Sequence, residues 1–302
     1  MTVETTEAEI LANELQLLRE THPHLESLLK AFGPIFLEKK RWLSENTSIL
    51  PNISLDPLRF TEGVPLCRQN PIFSAEDPWE SASLSATKAI RLGFQKSAAD
   101  MDKLSLYFSK EGTFKCFSGI FIEKQNSDHH IEELATKLNI SSISLYLFLR
   151  TLSHLILSKK AQSAKAELLN HSWKKGYCPV CGSFPHLAIL GDNGQRHLHC
   201  PDCGQSWLFS RLTCPYCEYE NPENTNYFYI EGQKEDSAFT CDKCNRYLLT
   251  ASYSAILNIP NSDIIALRLS PLDIILQDKG FVPVGECEWN IYGSSENRET
   301  VV

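Results

Sequence analysis

No apolar run in this chain is long enough to cross a bilayer. The most apolar stretch, residues 144–158, is broken by Arg150 and His154 and falls short of the roughly 20 residues a membrane helix needs, so it reads as a buried helix. No leader is expected either: the start Met1-Thr2-Val3-Glu4-Thr5-Thr6-Glu7 is acidic where a signal peptide is basic, and no short apolar segment follows. Those two absences predict a cytoplasmic chain with no membrane insertion. Basic residues are in deficit, with 29 Lys and Arg against 37 Asp and Glu and a formal charge of −8. A nucleic-acid partner is therefore disfavoured, because affinity for phosphate backbones rests on Lys and Arg releasing counterions. Neither a phosphate-binding glycine loop, nor a Gly-x-Ser-x-Gly elbow, nor a His-Glu-x-x-His helix is present. Acids and histidines are plentiful but fall into no catalytic spacing, which predicts a protein that is not an enzyme.

What the chain does have is cysteine: eleven in 302 residues. In an unexported chain they are expected to be reduced, so their spacing has to answer to metal or redox chemistry. Eight form four Cys-x-x-Cys pairs, Cys178/Cys181, Cys200/Cys203, Cys214/Cys217 and Cys241/Cys244, where random scatter would give about 0.4 pairs. Two residues between cysteines let one tight turn aim both sulfurs at a point, which supplies half of a tetrahedral shell. The first two pairs carry a Pro that presets φ (Pro179, Pro201) and a Gly that tolerates positive φ (Gly182, Gly204). The third keeps only Pro215, and the fourth offers Asn245, which also tolerates the left-handed region. A thioredoxin-like dithiol is the competing reading, but it requires a βαβ setting and usually a single motif.

Loop lengths favour sequential pairing. Eighteen residues separate Cys181 from Cys200, with strands expected at 187–190 and 196–199 around an Asp192-Asn193-Gly194 turn. The second half repeats the plan over 23 residues, with strands at 227–230 and 238–240 around a turn near Gly232. A strand is expected after each second knuckle, at 206–212 and 246–253. An interleaved cross-brace stays open, as does the ion, since four thiolates suit zinc and a rubredoxin-type iron alike. Two such sites would take the formal charge to about −12. His197 and His199 read as surface residues beside Cys200, and Cys67, Cys116 and Cys287 as small buried hydrophobes.

The remainder is helical in character. Leu145, Leu149, Leu152 and Ile156 share one helical face, with Ser141 or Ser142 as N-cap and a continuation to Leu169. Asp77-Pro78 opens another helix with Pro at its first position, and residues 131–138 form a third. Residues 46–70 read as an irregular connector. Past the cysteines, residues 263–269 and 271–277 read as short helices, the second capped by Ser270 and ended by Gly280. The expected fold class is α+β. An all-helical domain over residues 1–172 precedes a β-rich, tandem rubredoxin-like or zinc-ribbon-like metal domain over 173–302. That second domain holds modules at about 176–212 and 213–256, followed by short C-terminal helices.

At the cysteines the sequence resembles a known family, the accessory proteins for formate dehydrogenase formation, FdhE. The likeness rests on Gly176-Tyr177-Cys178-Pro179-Val180-Cys181-Gly182-Ser183-Phe184-Pro185, then Arg196-His197-Leu198-His199-Cys200-Pro201-Asp202-Cys203, Trp207, Arg211 and the last two knuckles. It extends to Leu272-Asp273-Ile274-Ile275, Gly280-Phe281 and Glu62-Gly63-Val64-Pro65-Leu66. The resemblance implies a cytoplasmic maturation factor that binds the catalytic subunit of a formate dehydrogenase, with rubredoxin-like metal centres. Self-association is left open. Two other functional classes remain beside it: an iron–thiolate redox or sulfur-handling protein, and a zinc-ribbon nucleic-acid binder.

Overall fold

The structure, a computed structural model, describes residues 6–46, 54–122, 127–220, 225–230, 233–253, 260–287 and 289–290. Nine helices come first among these: α1 (Glu7–Thr21), α2 (Glu26–Glu45), α3 (Pro57–Thr61), α4 (Leu66–Gln69), α5 (Trp79–Gly93), α6 (Ala98–Glu111), α7 (Thr113–Ile122), α8 (Ser127–Leu138) and α9 (Ser142–Leu168). Capping fixes where several start. Thr6 and Glu9 exchange hydrogen bonds in a capping box ahead of α1, and Asp56 accepts from the Leu58 and Arg59 amides ahead of α3. Helix α9 is buried on nearly every side, which makes it the central element against which α2, α5, α6 and α8 pack. Among the described residues no single helix is long and apolar enough to cross a membrane; α8 and α9 pass such a test only as a pair, bent by 113°.

Two helix starts depart from expectation. Pro78 is the N-cap of α5, because the Trp79 amide folds back onto the Asp77 carbonyl at 2.7 Å and delays the helix by one residue. Ser270 is the first residue of α11 (Ser270–Asp278), with Leu269 as its cap, since α10 (Ser262–Arg268) runs almost directly into it. Ser141 does cap α9 by backbone conformation, yet its side chain makes no capping bond; its amide donates to Asp100 instead. The stretch read as an irregular connector contains α3 and α4.

The strands are β1 (Leu187–Gly191), β2 (Arg196–His199), β3 (Ser206–Phe209), β4 (Thr225–Ile230), β5 (Gln233–Cys241), β6 (Arg246–Tyr253) and β7 (Val282–Pro283). They match the expected strands except that β3 stops at Phe209, β4 and β5 start earlier, and β7 was not foreseen; the turn expected near Gly232 lies outside the described residues. All seven form one sheet, ordered β3-β2-β1-β6-β5-β4, with β7 beside β6. Within each half the ribbon strands pair antiparallel, while β7 pairs parallel with β6. The halves are joined in parallel, Leu187 opposite Leu249 through Gly191 opposite Tyr253.

Helices and sheet share one connected apolar core. Trp289 sits in the seam, its ring 5.8 Å from that of Phe32, 6.2 Å from that of Phe36 and 6.4 Å from that of His186. Polar ties cross the same seam: Glu14 accepts from the Asn261 amide, Arg150 donates to the Glu286 carbonyl, and Lys39 lies 3.6 Å from Asp263.

Candidate metal centres

Four copies of one turn bring the eight thiols together. In each knuckle the residue after the second cysteine takes positive φ: Gly182 at 79°, Gly204 at 70°, Glu218 at 56° and Asn245 at 55°. From there its amide donates back to the carbonyl of the first cysteine, at 3.0, 3.2, 3.0 and 2.8 Å respectively. Glycine suits that conformation and Asn tolerates it, whereas Glu218 pays a steric penalty. Each turn thereby aims two sulfurs the same way.

The turns meet in sequential pairs. Cys178, Cys181, Cys200 and Cys203 form one group and Cys214, Cys217, Cys241 and Cys244 the other, with the sulfurs of each group within 4.8 Å of one another. In the first, the Cys178–Cys203, Cys181–Cys200 and Cys181–Cys203 separations are 3.5, 3.3 and 3.8 Å. In the second, Cys214–Cys244 is 3.8 Å and Cys217–Cys241 is 3.7 Å. A tetrahedral shell with metal–sulfur bonds of about 2.3 Å has sulfur–sulfur edges of about 3.8 Å. A disulfide needs about 2 Å, and all eight thiols are free. The donor set therefore fits a four-coordinate zinc or iron ion at each group, with all four positions supplied by the chain.

Proton affinities reflect how crowded the first group is. Burial drives the Cys200 and Cys203 thiols well above the usual range, while hydrogen bonding from Cys178, Cys200 and Cys203 holds Cys181 well below it. In the second group burial pushes Cys214 up to about 11 and raises Cys244 as well. Protons held by these thiols must leave when an ion enters.

The helical residues reach the first group at two places. At the start of α4, the Leu66 and Cys67 amides donate to the Pro179 and Val180 carbonyls, each at 2.9 Å, and the Cys67 thiol donates to the Cys181 carbonyl at 3.1 Å. Farther along, Asp202, between Cys200 and Cys203, lies 3.2 Å from both Arg150 and His154 of α9. The Ser183 hydroxyl donates to the same carboxylate. Burial opposes its ionisation, but the hydrogen bond from His154 and the charge of Arg150 keep Asp202 below the ordinary carboxylate range. Sequence reasoning missed these contacts, although Arg150 and His154 were the two polar interruptions in an otherwise apolar helix.

The halves also press together at Gly176, where a Cβ would stand 1.9 Å from the Pro215 carbonyl oxygen, so only glycine fits. His197 and His199 are half-buried rather than surface residues, and neither belongs to a sulfur group. Burial lowers the His199 imidazole to about 3. Cys287 is buried as expected; Cys67 and Cys116 are half-buried.

Comparison with known proteins agrees with this geometry. The FdhE central-domain family model matches residues 177–211, the segment holding the first group. "Protein FdhE homolog" of Aquifex aeolicus is 32% identical over 177 residues, covering 51% of this chain and 59% of that protein. Its counterpart in Shewanella oneidensis is 28% identical over 113 residues, 36% of each chain. The crystal structure of the FdhE protein from Pseudomonas aeruginosa shares the fold across 92% of this chain and 93% of that one, with a TM-score of 0.58 at 20% identity. Residues 177–211 thus match the FdhE central domain, and the chain resembles FdhE proteins in sequence over part of its length. The sequence matches to these FdhE relatives span between about a third and three fifths of the relatives' own length.

Proposed function

We propose that this chain is a non-catalytic accessory factor that binds the catalytic subunit of a formate dehydrogenase in the cytoplasm during its assembly. In this reading Cys178, Cys181, Cys200 and Cys203 hold one ion, and Cys214, Cys217, Cys241 and Cys244 a second, either iron or zinc. Residues 1–172 act as a helical domain and 173–302 as the metal domain. The observation that carries the proposal is the closure of both sulfur groups. Four thiolates fill a tetrahedral shell, so no position is left for substrate or an activated water, and the ions serve the fold. Similarity to FdhE proteins suggests the client class. Anaerobic affinity purification with a recombinant formate dehydrogenase catalytic subunit tests it: stoichiometric recovery is expected, and failure to recover the subunit at micromolar concentrations sinks it.

The alternative of an iron–thiolate centre that cycles electrons for the same client rests on the same donor set. A reversible change in visible absorbance on reduction, accompanied by altered client activity, would favour it. A colourless zinc protein that still matures its client would rule it out.

A further inference from the structure

Arg196 opens β2 and is 1% exposed, among the largest fully buried side chains in the protein. Its Nη2 donates to the Ser210 carbonyl and, at 2.6 Å, to the Thr213 carbonyl, while Nε and Nη1 have no hydrogen-bond partner among the described residues. The guanidinium lies between two rings, 5.4 Å from the centre of Phe209 and 5.5 Å from that of Phe239. Burial lowers its proton affinity to about 10, so it stays charged at neutral pH. The Tyr227 phenol and the Cys214 thiol favour its charged form, and among the described residues no carboxylate forms an ion pair with it. A buried cation without a carboxylate is costly unless negative charge stands nearby.

The groups that hold Arg196 lead directly into the second sulfur group. Thr213, whose carbonyl Arg196 grips, directly precedes Cys214, and Phe239 precedes Cys241 by two residues on β5. An occupied four-thiolate site with a divalent ion carries a net charge of −2. Arg196 itself belongs to the other module, on the hairpin framed by Cys181 and Cys200. Resting on the metal-binding reading above, we propose that Arg196 is the buried counter-cation of the Cys214, Cys217, Cys241 and Cys244 site. Ion binding there then depends on the hairpin that the first site organises.

The test uses the full chain loaded with zinc under anaerobic conditions, titrated with a competing chelator. Alkylation and mass mapping of the released cysteines identify which group has lost its ion. Arg196→Met is expected to weaken the second site about 10- to 100-fold, as loss of supporting contacts around a metal site does, with the first site within about twofold of wild type. Arg196→Lys, which retains charge but not the forked geometry, is expected to recover most of that loss. Equal weakening of both sites in Arg196→Met, or a Lys variant no better than Met, would overturn the inference. Should the Met variant not accumulate, Arg196→Gln takes its place in the same comparison. A wild-type chain that binds no ion would defeat the underlying metal reading; two tight ions unaffected by Arg196→Met would defeat this inference alone.

Discussion

His154 and Asp202 meet at 3.2 Å, tying the middle of helix α9 to the turn between Cys200 and Cys203. Arg150, one helical turn earlier, reaches the same carboxylate oxygen. Asp202→Ala would remove the carboxylate that Arg150 and His154 share at the junction. Because all three side chains retain some solvent contact, the expected loss is about 2 kcal/mol, below that of a fully buried pair. Urea unfolding of the metal-loaded protein measures it; an unchanged midpoint would mean that the latch contributes nothing.

The shared turn geometry makes opposite predictions at two knuckles. Gly182→Ala places a side chain at φ 79°, 3.4 Å from Pro65 and 3.5 Å from the Cys67 sulfur, and should cost about 1–2 kcal/mol. Glu218→Gly relieves the same conformation and gives up only an exposed pair with Lys175, so it should be neutral or stabilising by up to about 1 kcal/mol. Thermal melts of both variants decide the matter, and a strongly destabilised Glu218→Gly would refute the account of the turn.

Metal removal should not stay local. The sheet is continuous through the parallel β1–β6 pair, so replacing Cys214 and Cys217 by Ser should loosen β1 as well as β5 and β6. Hydrogen exchange is the measurement: faster exchange at the β1 amides, with α5 and α9 still protected, is expected. Unaltered β1 protection would mean that the two modules are energetically separate.

Asp273 gives a pH dependence of known sign. Its carboxyl is 1% exposed, accepts from the Tyr247 hydroxyl, and is raised by burial to about 6, above the roughly 3.9 of an unfolded chain. A raised carboxyl contributes its stabilisation in full below the unfolded value, and that contribution is lost as pH rises through 6. Asp273→Asn removes the titration, so its stability relative to wild type should climb by about 1–1.5 kcal/mol between pH 5 and pH 7. Chemical denaturation at several pH values from 5 upward follows the rise while the thiolates keep their ions; parallel profiles would assign the dependence elsewhere.

Local chemistry was readable in the sequence, and distant pairing was not. The knuckles, the strands around them and the sequential grouping of Cys178 through Cys244 follow from short spacings and from residues that tolerate a given φ. The long helix followed from Leu145, Leu149, Leu152 and Ile156. By contrast, the docking of Leu66 and Cys67 on Pro179 and Val180 runs through backbone groups, which every residue carries, so no side-chain pattern announces it. The same holds for Leu187 facing Leu249, whose partnership depends on how two hairpins stack. Glu218 was also hidden, because its left-handed conformation is imposed by the turn rather than chosen by the residue. Arg150 and His154 were visible as anomalies, but only the structure gives them their partner in Asp202.

The parallel seam between β1 and β6 also sets an order of events during synthesis. Leu187 leaves the ribosome well before Leu249, and at about 5–20 residues per second the wait lasts several seconds. Throughout that interval the earlier hairpin has an open edge, and the thiols of its knuckles belong to a half-built sheet. The nascent chain is thus most exposed to oxidation and to unwanted strand partners before the later ribbon arrives. Such a protein is favoured by a reducing, metal-replete setting at the moment of its translation, not merely after it.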